Sequence, residues 1–125
     1  MELRKLGQNN NKLINKYDSK GFNISGQKID GPVLIFYNYA EKIVLYKNSI
    51  TIDSIKPILN ANPPIDILII GHETGIGYKV SEDLEKILNS KKIKIEKMIT
   101  NSACRTYNLL ISENRLVACI LFPEG

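Results

Sequence analysis

One histidine and two cysteines are too few for much of the usual site chemistry. His72, Cys104 and Cys119 cannot complete a four-ligand metal site without remote carboxylates, and two cysteines give no disulfide framework and no sign of an oxidising compartment. Long apolar runs are missing as well. The longest, LVACILF, is far short of the roughly 20 residues that a membrane-spanning helix needs. The opening MELRKLGQNNNKLINKYDSK is basic but has no apolar stretch of the kind a secretory signal carries. These absences predict a cytoplasmic protein with no transmembrane segment, signal or transit peptide. Arginine is scarce too: 14 of the 17 basic residues are lysine.

What is present is an ordinary globular balance. The 125 residues are 43% hydrophobic and 24% charged, which suits one core and excludes a disordered chain. The net charge is +4, and five lysines lie between Lys86 and Lys97, opposed there only by Glu96. A basic patch of this kind could meet nucleic acid or an anionic membrane surface. No aromatic interleaves it and no nucleic-acid motif accompanies it, so the reading is a solvated face, and nucleic acid is not expected as a partner.

Along the chain, residues 1–20 are polar and asparagine-rich and read as a loosely ordered arm; residues 21–125 read as a single α/β domain. GFNIS and KID give short strands about a Gly26-Gln27 turn. VLIFYN (Val33 to Asn38) and KIVLY (Lys42 to Tyr46) are β-rich runs read as a hairpin with a short link between them. Ile55, Ile58 and Leu59 then fall at helical spacing after Thr51 or Asp53, with Pro57 tolerable only in a first turn. IDILIIG is apolar enough for a strand buried on both faces. Ser81 caps a helix with Leu84, Ile87 and Leu88 along its apolar stripe, IKIEKMI alternates like a strand, and RLVACILF closes the chain. Strands alternating with helices in this second half predict crossover units and largely parallel pairing, joined to an antiparallel first half.

Two stretches are candidates for function. GHETGIG (Gly71 to Gly77) follows the buried strand, where open α/β sheets place ligands. It matches neither a phosphate loop nor a complete dinucleotide fingerprint, so no nucleotide or other cofactor is expected; Gly71, His72, Glu73 and Gly75 remain candidate contacts. The second is NSACRTYNLLIS. Asn101 reads as an N-cap, with Ala103, Tyr107, Leu110 and Ile111 on a core face, Cys104 and Asn108 towards its border, and Arg105, Asn108 and Ser112 sharing the opposite side. Cys104 then falls at the third helical position, where thiolate is favoured, and Arg105 offers a planar fork for a carboxylate or phosphate. No catalytic constellation is complete. Tyr37, Tyr39 and Tyr46 near the hairpin tip could form a contact surface.

The string ACRTYNLLISENRLVACILFP (Ala103 to Pro123) closely resembles the C-terminal signature of a small α/β family. That family contains the mitochondrial complex I assembly factor three and the adipogenesis-associated Mth-domain protein. GFNISGQKIDGPVLI, ITIDSIKPIL and IDILIIGHETG resemble its opening strands, first helix and central strand with glycine turn, so the resemblance runs from Gly21 to Pro123. It implies a single three-layer α/β domain with a mixed central sheet. It also implies a non-enzymatic protein-binding or assembly role, with partners among membrane complexes or their assembly machinery, and, given the missing presequence, a bacterial member. A homo-oligomer stays open. The alternative is a small-ligand-binding domain or enzyme with a cleft around Arg105, Cys104 and the Gly71 to Gly77 loop.

Overall fold

A computed structural model of the chain describes residues 10–74 and 79–123. Three antiparallel strands come first: β1 (Ile14–Tyr17), β2 (Gly21–Ile24) and β3 (Gln27–Asp30), forming a small meander. The hairpin β4 (Val33–Phe36) and β5 (Tyr39–Lys42) follows, then β6 (Ser49–Ile50) and α1 (Ile52–Leu59). The second half runs β7 (Ile67–Gly71), β8 (Lys79–Val80), α2 (Glu82–Ser90), β9 (Lys94–Met98), α3 (Thr100–Ser112) and β10 (Val117–Leu121). The central sheet has the order β9-β7-β10-β4-β5, with β9, β7 and β10 parallel and β4 and β5 antiparallel. This is the mixed sheet that the sequence predicts, and the crossovers through α2 and α3 account for its parallel half.

Side-chain alternation divides the core into two sides of that sheet. Leu34, Leu68, Ile70, Ala118 and Ile120 pack under α1 and α2, through Ile55, Ile58, Leu84 and Leu88. Val33, Ile35, Ile69, Cys119 and Leu121 face the other way, onto α3 and onto Ile14, Phe22 and Ile24 of the small meander. The period-2 rule that sends successive strand residues to opposite faces thus produces three layers: helices, sheet, and a layer shared by α3 and the meander.

Local differences from the sequence reading have identifiable causes. The hairpin turns on Tyr37 and Asn38 alone, and β5 begins at Tyr39 rather than Lys42. Phe36 and Tyr39 stack at 5.1 Å across the closing pair, which a longer link would separate. The KIVLY run leaves the sheet after Lys42; Ile43 is buried while Val44 is 82% exposed. Within α1, Ile55 is non-helical (φ −121°, ψ 15°), so Pro57 lies just after a break and not in a continuous helix interior. Ser81 caps α2 as expected, accepting from the Leu84 N–H at 3.2 Å.

The arm is the larger correction. Residues 14–17, read as loose, form β1, with Ile14 buried against Phe22 and α3. The reason is long-range and lies in α3.

Candidate functional site

The NSACRTYNLLIS segment belongs to α3, which starts one residue before the Asn101 expected as its cap. Ile99 is the cap, still extended from β9 (φ −68°, ψ 155°), and its carbonyl accepts from the Ala103 N–H. Thr100 is buried at the first helical position, and its hydroxyl donates to the Phe122 carbonyl at 3.2 Å. This tie between the helix start and the end of β10 overrides the capping preference of Asn101. Cys104 therefore moves to the fifth helical position and Arg105 to the sixth. Both lie beyond the free N–H groups of the first turn, so the dipole argument for a Cys104 thiolate lapses.

Cys104 and Arg105 also part company in space. Ala103, Cys104, Tyr107 and Ile111 face the core, whereas Arg105, Leu109 and Ser112 face solvent. Cys119 lies in the same cluster as Cys104; burial pushes its thiol well above the ordinary range, and neighbouring Cys104 adds to the effect. Both cysteines are buried and neither is in a disulfide. A thiol held neutral inside a core, as that of Cys119 is, is inert as a nucleophile.

Asn108 has a definite task. Its Nδ2 donates to the Ile14 carbonyl at 2.8 Å, while its Oδ1 accepts from the Ile14 N–H at 2.9 Å. One side-chain amide thus satisfies both backbone groups of one β1 residue, as a neighbouring strand would. Tyr107 reinforces it, donating its hydroxyl to the Lys12 carbonyl at 3.0 Å. Burial raises the phenol pKa, with nearby Cys119 as a smaller cause, so that donor stays protonated. Sequence reasoning set Asn108 between the core border and the polar side of the helix and missed its partner, which is 94 residues away.

The other candidate residues gather at the carboxyl ends of the strands. Gly71 ends β7 beside α3: a Cβ built on it would lie 2.5 Å from the Ala103 Cβ and 3.0 Å from Leu121 Cδ2. The glycine is there for close approach of strand and helix. The His72 N–H donates to the Met98 carbonyl at 3.1 Å, and the His72 ring sits 5.6 Å from that of Phe122. His72 Nδ1 accepts from the Thr74 N–H at 3.3 Å, with the Thr74 hydroxyl at 3.0 Å. Glu73 is exposed. Gly75 lies outside the described residues. Gly71 and His72 are thus brought to the amino-terminal end of α3, Asn108 is committed to β1, and Arg105 remains exposed with no hydrogen bond or ion pair among the described residues. Of the three tyrosines, Tyr37 donates to the Pro63 carbonyl at 2.7 Å and Tyr39 stacks on Phe36; Tyr46 is 64% exposed, with Lys47 Nζ 5.4 Å from its ring centre.

This arrangement of strands and helices is shared. Residues 14–122 match the family described as "Protein of unknown function (DUF498/DUF598)". The chain belongs to that family. Among similar proteins is the NADH dehydrogenase (ubiquinone) 1 alpha subcomplex assembly factor 3 of Xenopus tropicalis, 30% identical over 116 residues, with 89% of this chain and 61% of that protein covered. The chain therefore spans about three fifths of the length of that curated relative. Among solved structures of similar fold, an outer membrane protein from Bartonella henselae has a TM-score of 0.77 and 28% identity, covering 92% of this chain and 97% of its own. A Mth938-like domain from Bordetella pertussis has a TM-score of 0.74 at 16% identity, covering 100% of this chain and 94% of its own. The resemblance read from ACRTYNLLISENRLVACILFP thus leads to the right family. No helix among the described residues is long and apolar enough to cross a membrane.

Proposed function

We propose that this chain is a non-enzymatic protein-binding module that helps to assemble a membrane-associated complex. The observation that carries the proposal is the similarity to the complex I assembly factor, which extends over 89% of this chain. The residue roles in α3 support it. The amide of Asn108 and the hydroxyl of Tyr107 hold β1, Cys104 is buried, and Arg105 is left exposed. An exposed guanidinium without a partner among the described residues suits recognition of a carboxylate on another protein, since its planar fork is rigid and bidentate.

Affinity purification of the tagged chain from its native cell, with cross-linking and mass spectrometry, tests the proposal. A defined protein that cross-links near Arg105 or the His72–Glu73 turn, and whose recovery drops in Arg105→Ala, is the expected result. Arg105→Lys should lose nearly as much, because lysine keeps the charge and loses the fork. Turnover of a small molecule by the purified chain, with no protein partner recovered, would overturn the proposal.

A further inference from the structure

The central sheet has an open edge at β9. This strand pairs only with β7 among the described residues. The Lys94 N–H donates to the Asp66 carbonyl at 2.9 Å, and the Met98 carbonyl accepts from the His72 N–H at 3.1 Å. In a parallel pair, alternate residues direct both backbone groups to the same neighbour. Lys94, Glu96 and Met98 therefore address β7, while Ile95 and Lys97 direct their N–H and C=O groups away from the sheet. None of these outward groups has a hydrogen-bond partner among the described residues. The edge is bounded at both ends, since the Ile93 N–H donates to the Leu88 carbonyl and the Ile99 carbonyl accepts from Ala103.

A cleft of about 430 Å³ opens beside this edge, lined by Ile95 and Lys97 of β9 together with Lys79, Val80 and Glu85. Among the described residues that line it, Ile95 and Val80 are apolar, and two lysines against Glu85 leave the charge net positive. Exposed Lys91, Lys92 and Lys94 extend the positive field along the strand, with Lys94 partly compensated by Glu96 at 3.1 Å. An unpaired edge is a template for an added strand, and lysines along it are a common guard against self-pairing. A second copy would bring the same lysines against their counterparts. An extended segment rich in Asp or Glu would not only pair but neutralise them.

We infer that the outer edge of β9 accepts an extended, acidic segment of a protein partner by strand addition, its backbone pairing with Ile95 and Lys97 and its carboxylates meeting Lys79 and Lys97. The inference rests on the proposed protein-binding role and names the chemistry of the partner segment. Strand addition takes its affinity from main-chain hydrogen bonds and its selectivity from the side chains alternating on each face.

The test uses the full chain, ¹⁵N-labelled, with a synthetic peptide of alternating Glu and Val. Binding should protect the Ile95 and Lys97 amides from solvent exchange and leave those of Lys94, Glu96 and Met98, already bonded to β7, little changed. N-methylation of alternate peptide residues should abolish binding, and the doubly reversed variant Lys79→Glu/Lys97→Glu should weaken it about tenfold or more. A thermal melt of that variant controls for folding. Unchanged exchange at Ile95 and Lys97 with saturating peptide, or binding indifferent to N-methylation, would overturn the inference. So would equal binding of an alternating Lys and Val peptide, stronger binding of single-stranded RNA at the same lysines, or self-association as the only event at the edge. If the cellular partner is still recovered with the reversed variant, the assembly role stands and the edge is not its site. If no partner is recovered by wild type while the peptide protects Ile95 and Lys97, the reverse holds.

Discussion

At the scale of single residues, Asn108 carries the most structure per atom. Its amide meets both the N–H and the C=O of Ile14, a residue that is only 5% exposed. Asn108→Ala would leave two backbone groups without partners where water reaches them poorly, and is expected to cost about 1–3 kcal/mol. Asn108→Asp keeps the acceptor but sets a carboxylate against the Ile14 carbonyl, so it should be at least as harmful near neutral pH. Denaturant melts and the exchange rate of the Ile14 amide check both. By contrast, Cys104→Ala removes one sulfur from a packed cluster and is expected to cost roughly 1 kcal/mol. Alkylation of native Cys104 should be slow, because only 6% of the residue is exposed.

Asp18 has a legible pH response. Its carboxylate accepts from Lys28 Nζ at 2.8 Å and from the N–H groups of Lys20 at 2.8 Å and Gly21 at 3.1 Å. The hydrogen bond from Lys28 is the largest cause, ahead of the two backbone donors, and together they hold its pKa at about 2. A carboxyl lowered in the folded state stabilises above its ordinary value and loses that contribution as pH falls towards the folded value. The β1–β2 turn should therefore loosen between about pH 4 and 2, and less steeply so in Asp18→Asn. Lys28→Met should move the carboxyl titration upward, as followed by carboxyl ¹³C shifts.

At the scale of elements, the contact between β7 and α3 sets how closely sheet and helix approach. Gly71→Ala would place a methyl 2.5 Å from the Ala103 Cβ, which requires one of the two to move. Overpacking of this kind is expected to cost about 1–3 kcal/mol. Ala103→Gly alone should cost about 1 kcal/mol through helix propensity. The double variant should be less destabilised than the sum, and denaturant melts of the four-member cycle give the coupling directly. Additive losses would mean that the helix shifts freely and that Gly71 is not a spacing residue.

At the scale of the whole molecule, stability should be graded across the sheet. All five residues of β10 are buried, and the strand is paired on both sides, with β7 and β4. Its amides should exchange only by global unfolding, while those of β1, paired with β2 among the described residues and pinned by side chains of α3, should open first. Asn108→Ala should speed exchange in β1 far more than in β10.

Much of this was legible in the sequence because it depends on neighbouring residues. ILIIG is apolar enough to demand burial on both faces, Ser81 accepts from the Leu84 N–H in the first turn of its helix, and helices between apolar strands enforce parallel crossovers. The string after Ala103 was specific enough to lead to the family. What only the tertiary structure decided depends on partners far along the chain. INKY has no apolar period to mark it as a strand, and it becomes one because Tyr107 and Asn108 hold Lys12 and Ile14 from 94 to 95 residues away. The first turn of α3 forms at Thr100 because Phe122 supplies an acceptor there. Cys104 and Arg105, adjacent in sequence, are separated into core and solvent by the phase of a helix whose buried side the sheet selects. Local burial preference writes itself into composition and period; a hydrogen bond between residues 94 or 95 positions apart leaves no such pattern, since any polar side chain of the right reach would read alike.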